Sequence, residues 1–575
     1  MIERKVVIKT VCGRDAAVEL TGMYLLRVLR ITFRSIALGT EYFPTASQQQ
    51  SLEKPVMSNN APQASRWLSS IAVMLTTIMV ILDMTIVNVA LPHMMGSLGA
   101  TADQITWVLT SFIVAEAVVI PLTGFLAGRF GRKRVMLLSI TGFIIASGLC
   151  GSATSLAEMV LFRILQGCCG APLVPLSQSV MVDTFPKEER GKAMAFWGMG
   201  IMLAPIMGPT LGGYITQHLE WRWIFYINLP VGLLNLLLVS RVLHESEVRK
   251  GHADILGALL MMVGIGSLQI VLDRGNQEGW FSSDFITVLT LVGSVTLAAF
   301  VIREWRQQDS IVNLRLFKDR NLAAASFIIL AFGFGMFGTI AIQPIMLERL
   351  LDYPVETTGL VMAPRAVGSA LSMLLVSRLI ARVDSRILVG IGLLLSSVAT
   401  HLMTWYNLAI SPFWIIWPGA IQGLGIGMIF VPLSTLAYET LPKNATDAAA
   451  GLYNLARTIG SSIGISIAST LFARFNQFYW NQLGGQINPY NPALYVWLQA
   501  QGVGLDHPLA PQLLSQLLLR QSTMMAFVEV FSIISISFLL LAPLLLMVHR
   551  PAKKTSAGDS DTDLHAAPHS RETEL

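Results

Sequence analysis

The chain has 575 residues, of which 53% are hydrophobic and only 13% charged, with a formal net charge of +5. Soluble domains carry about 25% charged residues, so the composition excludes an array of ordinary soluble domains, and so small a charge excludes a nucleic-acid-binding surface. Apolar runs of about twenty residues recur along the sequence, the length that crosses a bilayer as helix, which makes this an all-α polytopic membrane protein. Four cysteines, Cys12, Cys150, Cys168 and Cys169, have no metal-ligand spacing, and no metal or cofactor is expected.

Residues 1–66 read as an N-terminal extension outside this pattern. Within it, 16–38 carries Arg27, Arg30 and Arg34 on about one face, which suits a membrane surface rather than a span. Met57 opens a polar leader, so two starts are open, Met1 and Met57, and the second is favoured because 1–56 contributes no span. Fourteen spans follow, at about 69–91, 105–126, 134–153, 157–182, 192–217, 223–242, 254–272, 284–303, 322–345, 357–381, 385–405, 413–438, 448–472 and 524–548. Basic residues gather in alternate connections. Arg129, Arg132, Lys133 and Arg134 follow the second span, Lys187, Arg190 and Lys192 the fourth, and Arg241, Arg249 and Lys250 the sixth. Arg303, Arg306, Arg315, Lys318 and Arg320 follow the eighth, Arg378, Arg382 and Arg386 surround the end of the tenth, and Arg550, Lys553 and Lys554 follow the last. Short basic connections stay on the cytoplasmic side, so both termini are expected there. The connection 473–523 is out of scale; it mixes aromatics, Asn-Pro turns and an amphipathic stretch at 510–519. It is expected outside the membrane, as a binding surface or a self-packed cap.

The first span carries one acid, Asp83, with Asn88 beyond it. A carboxylate at that depth costs roughly 2.5–3.5 kcal/mol on insertion scales unless it meets a partner or water. Asp83 is therefore expected to exchange a proton or to neutralise a cation. Glu116 stands midway along the second span, with those roles or a structural hydrogen bond open to it. Arg163 lies in the fourth span and keeps its charge, so it needs an acid or carbonyls. With 1.5 Å rise per residue, the first span running outward and the fourth inward, Asp83 and Arg163 fall at the same depth, and a pair between them is expected. Arg365 and Arg457 lie in or near later spans; packing against helix carbonyls is the reading favoured for Arg365. Asn88, Gln166, Gln343, Gln422 and Tyr438 are polar enough to line a cavity. Gly423, Gly425 and Gly427 follow no strand, so they read as close-packing positions and not as a dinucleotide loop. No His-Glu-x-x-His, Gly-x-Ser-x-Gly or Walker pattern occurs, which argues against an intramembrane enzyme or a nucleotide-driven pump.

Three motifs carry a resemblance. Gly124-Phe-Leu-Ala-Gly128-Arg129-Phe-Gly131-Arg132-Lys133-Arg134 resembles the loop signature of the major facilitator superfamily, with Gly128 where that family usually has aspartate. Leu161-Phe-Arg163-Ile-Leu-Gln166-Gly167 resembles its arginine-bearing fourth helix. Gly200, Pro205, Gly208, Pro209, Gly212 and Gly213 resemble its antiporter motif, which read physically is a bent, closely packed helix. Leu82-Asp83 to Pro92, Gly266 to Gly275 and Ile487 to Pro492 are similar to the EmrB/QacA type, the fourteen-span drug/proton antiporter branch, and within it to pumps of Gram-negative tripartite systems. The resemblance implies two six-helix bundles, 67–250 and 321–548, with an inserted pair at 251–320 and a polar tail at 549–575. It implies a proton-coupled exporter of amphiphilic toxic compounds in the inner membrane, driven by the proton gradient, working with a periplasmic adaptor and an outer-membrane channel. Export of a lipid or endogenous metabolite is the alternative on the same frame. Under that reading Asp83 carries or gates the coupled proton, Arg163 helps release it, and Glu116 is the next candidate. Gly128 puts the usual acid-mediated cytoplasmic gate in doubt.

Overall fold

The computed structural model describes residues 63–547, apart from 187–188, 247, 249–253, 307–311, 381, 443–444, 489 and 505. The expectations about residues 1–62, including the Met57 start, and about the tail beyond 547 fall outside the described residues. Fourteen helices are long and apolar enough to cross a membrane: α1 (Arg66–Leu98), α2 (Asp103–Phe130), α3 (Arg132–Ser152), α4 (Leu156–Thr184), α5 (Arg190–His218), α6 (Trp223–Val242) and α7 (Ile255–Arg274), then α8 (Asp284–Arg306), α9 (Arg320–Leu350), α10 (Thr357–Leu379), α11 (Ser385–Trp405), α12 (Pro412–Glu439), α13 (Thr446–Gly484) and α14 (Ala510–Leu546). No strand occurs among the described residues.

The packing repeats. In the first half α1 lies on α5, α2 on α4, and α3 on α6; in the second, α9 lies on α13, α10 on α12, and α11 on α14. Helices α7 and α8, the pair expected to be inserted, pack on each other, with α7 against both α2 and α13. Small residues make the close approaches. A side chain at Gly212 of α5 would meet Ile86 of α1 at 3.0 Å, Gly208 backs onto Thr85, and Gly200 faces Met74. Gly200, Gly208 and Gly212, from the stretch that resembles the antiporter motif, thus seat α5 on α1. Gly213 faces open space, and Pro205 is half-buried in a helix that runs on without a break. In the second half Gly423 and Gly427 let α12 approach α10, and Gly425 lets it approach α11, as their spacing suggests.

Several polar side chains fasten the inserted pair. Arg303 of α8 grips Asp254, at the start of α7, through Nε and Nη2 at 2.8 and 2.9 Å. At the other end of α7, Thr110 donates to Asp273, and Arg274 donates to the Asp103 carbonyl at 3.0 Å and lies 4.9 Å from the Trp107 ring of α2. Gln269 donates to Ser462 of α13 at 2.5 Å.

The region 473–523 differs from the expected loop. α13 continues to Gly484, a short helix spans Pro492–Ala500, and α14 begins at Ala510. At 1.5 Å per residue the extension of α13 beyond 472 adds roughly 18 Å. Leu494, Leu498, Ala510 and Leu514 form a small core of their own. Those apolar side chains at helical spacing bury one another once α14 starts early, which a hydropathy window tuned to spans does not register.

Candidate functional site: a buried ion pair and its neighbours

Asp83, Arg163 and Gln166 are fully buried, and Asn228 is 2% exposed. Arg163 Nη1 donates to Asp83 Oδ2 at 2.6 Å, while Oδ1 accepts from Gln166 Nε2 at 2.9 Å and from Asn228 Nδ2 at 2.7 Å. Arg163 also donates to Gln166 Oε1 at 2.9 Å and, through Nε, to the Val108 carbonyl at 3.1 Å. Asn228 is held by Ser147 of α3, whose hydroxyl donates to the Phe225 carbonyl. The guanidinium lies 4.2 Å from the Phe112 ring centre. Helices α1, α2, α3, α4 and α6 therefore converge on one carboxylate. Charge-assisted bonds inside a low-dielectric bundle are strong, and leaving either ion alone there is expensive. Chemically the group can hold a charge pair closed, or release it if access changes.

Gln166 belongs to this network and not to an open cavity. Asn88 is exposed, and its amide donates to the Met84 carbonyl of its own helix at 3.4 Å, apart from Asp83. Asn228 and Ser147 were missed in the sequence because single polar residues in apolar runs carry no spacing signal.

Glu116 of α2 is 6% exposed. The charges acting on it are Arg457 of α13 first, then Arg163 and Asp83. Arg457 in turn is acted on by Glu116, Tyr453 and Tyr438. The two tyrosine rings lie 5.9 Å apart, with buried hydroxyls that lack a partner. Nearby along α13, Asn454 donates to Gln178 of α4 at 2.6 Å, across the boundary between halves.

The loop signature forms a second charged cluster. α2 and α3 are joined through Gly131, whose φ of +91° suits only glycine. Arg132 reaches Asp183 of α4 at 2.7 Å and Asp447 of α13 at 2.9 Å. Ser179 donates to Asp447 at 2.5 Å, and Thr446 to Asp183 at 3.2 Å. Gly124 lets the α2 end pack directly on the Ala448 backbone. The Lys133 amide donates to Glu245 at 3.0 Å, and Arg129 is exposed. Replacement of the usual aspartate by Gly128 therefore does not leave this end without acids: Asp183 and Asp447 serve Arg132, the latter from the opposite half. The sequence reading looked for the acid inside the motif and missed both.

In the second half, Arg365 donates to Gln343, and no helix carbonyl accepts from it among the described residues. Its Nε and Nη1 are buried without a partner, and so are both amide atoms of Gln422. This departs from the carbonyl-packing reading, because the α12 glycines bring backbone to backbone at Arg365 and leave the side chain to point toward α9.

The sequence profile of the Major Facilitator Superfamily matches residues 73–465. The chain belongs to that superfamily. It is 36% identical over 491 residues to the multidrug export protein EmrB of Escherichia coli strain K12, covering 84% of this chain and 95% of that protein. It is also 36% identical over 490 residues to the fatty acid resistance protein FarB of Neisseria gonorrhoeae, covering 84% and 96%. The structure of the proton:xylose symporter XylE aligns with a TM-score of 0.56 at 14% identity, over 84% of this chain and 96% of that one, which bears on fold alone. As a superfamily member with fourteen spans, the chain is a polytopic membrane transporter and not an enzyme.

Proposed function

We propose that this transporter exports amphiphilic toxic compounds across the inner membrane in exchange for protons, with both termini cytoplasmic and no cofactor. The multidrug export name of the EmrB relative supports the substrate class. The observation that carries proton exchange is the placement of two buried carboxylates in the first half. Asp83 is saturated by Arg163, Gln166 and Asn228, so it serves as the held gate. Glu116 lies within electrostatic reach of Arg457 on α13, in the other half, so it serves as the loading group. Protonating Glu116 would weaken its attraction to Arg457 and favour separation of the halves there. Each proton entering contributes about 2.3 kcal/mol per 100 mV, so no nucleotide is required.

The test is pH-gradient-driven uptake of ethidium into inverted vesicles. Glu116→Gln should abolish coupled uptake while ethidium binding to purified protein persists; normal coupled uptake in that variant would sink the assignment. Asp83→Asn should likewise abolish coupled uptake, and Asp83→Glu should retain part of it.

The helical extension formed by α13, Pro492–Ala500 and α14 is the surface for a periplasmic adaptor that leads to an outer-membrane channel. It exposes Tyr490, Val496 and Phe478 beyond its own small core. Deleting its tip should lower efflux from cells and leave vesicle uptake intact; equal loss in both assays would favour a cap. A second reading, export of fatty acids or another endogenous lipid, is favoured by the equal identity to FarB.

A further inference from the structure

Arg365 takes no part in the cycle proposed above. It stands on α10 about 12 Å from the Thr357 end by helical rise, and it is 7% exposed. One nitrogen donates to Gln343 of α9, while Nε and Nη1 have no acceptor. Gln422 of α12, 1% exposed, has neither amide atom partnered, and the buried hydroxyl of Ser369, one turn along α10, also lacks a partner. The helix contact holds the arginine in place: Gly423 of α12 packs on its main-chain carbonyl, and a side chain at Gly419 would lie 3.9 Å from its Cβ. The one titratable group that acts on it is the phenol of Tyr406, just beyond α11. No carboxylate faces it among the described residues.

A guanidinium cannot shed its charge, and burying it without an anion costs several kcal/mol. The unsatisfied groups on this stretch of α10 and α12 hold more donors than acceptors: two guanidinium nitrogens, Gln422 Nε2 and a serine hydroxyl, against Gln422 Oε1. Such a set fits a planar oxyanion that accepts bidentate bonds. We propose that Arg365, with Gln343 and Gln422, binds the carboxylate head group of an anionic amphiphile carried by this transporter. The assignment rests on the export reading and names one substrate class within it. Helix α10, together with α12, is the wall of the second half that meets α5. A side chain at Gly359 of α10 would touch Thr210 of α5 at 3.8 Å. Parting of these helices is the motion that admits the head group.

Decanoate and decyltrimethylammonium, matched in tail and opposite in charge, are the probes. Their binding to the purified full chain in nanodiscs of zwitterionic lipid is followed by calorimetry. Arg365→Gln should weaken decanoate binding about tenfold or more, as expected for loss of a charged hydrogen bond, and leave decyltrimethylammonium within about twofold. Arg365→Lys should recover part of the decanoate affinity, and Gln422→Leu should weaken decanoate alone. Equal weakening of both probes, or of neither, would overturn the assignment. So would abolition of decanoate binding by adding phosphatidylglycerol to the discs, which would give the site to a resident lipid phosphate. Wild-type vesicles that transport neither probe, alongside charge-selective binding, would instead count against the export reading and leave the anion site standing.

Discussion

The two halves treat a buried arginine in opposite ways. Arg163 meets Asp83 at 2.6 Å, with Gln166 and the Val108 carbonyl taking further protons. Arg365, on the second helix of the other half, has a single amide acceptor and no acid. The first arrangement pairs the charge with an acid and ties five helices together, leaving only Arg163 Nη2 without a hydrogen-bond partner. The second leaves a charge for something that comes and goes. Burial alone therefore does not assign a role to an intramembrane charge; the state of its partners does.

The largest effect should come from breaking the closed pair on one side. Asp83→Ala leaves Arg163 buried and uncompensated, a loss of about 3–5 kcal/mol, seen as a lowered unfolding temperature in detergent. Combining it with Arg163→Met should restore most of that stability and none of the coupled transport. If the single variant is as stable as the parent, the pair is not what holds these helices.

Next comes the charged cluster at the basic end, where Asp447 crosses between halves. Asp447→Asn removes one of the two acids paired with Arg132, at a cost of about 1–3 kcal/mol, and should shift the population toward an open basic end. Accessibility of a cysteine placed at Ala448 to a membrane-impermeant thiol reagent reads this directly; unchanged labelling would mean Asp183 alone holds the end closed.

The open arginine should respond with the opposite sign. Arg365→Met removes an uncompensated charge, so unfolding temperature should hold or rise, by up to about 1 kcal/mol in stability, in contrast to Asp83→Ala. A large loss would show that Arg365 is structural after all.

The smallest effect concerns the inserted pair. The Arg303 guanidinium bonded to Asp254 holds that carboxyl below its ordinary range. A lowered folded value means the contribution is fully present above the unfolded value of about 3.9 and is lost as pH falls through the folded one. Asp254→Asn should therefore cost a little stability at about pH 7, and the difference should shrink as pH falls through the folded value. A difference that grows on acidification would contradict the pairing.

The shared depth of Asp83 and Arg163 was legible because helical rise converts residue number into height, and two opposite charges at one height in a bundle have few other partners. The close-packing glycines of α5 and α12 were legible for a similar reason: spacing of small residues is written along one helix. Asn228, Ser147, Asp183 and Asp447 were not legible, since each joins its cluster from a helix distant in sequence. The extension beyond α13 was read as loop because polar and aromatic residues there mask a helix whose apolar side chains bury one another.

By itself the sequence determined the class of molecule. Fourteen apolar runs must become helices, because a bilayer offers the backbone no other hydrogen-bond partners, and the loop, arginine and antiporter motifs placed those helices in one superfamily. Tertiary structure alone decided which charges are satisfied. Whether a buried ion has a partner depends on atoms a few ångströms apart that are separated by dozens to hundreds of residues along the chain, as Asp83 and Asn228 are, and no local pattern encodes that distance.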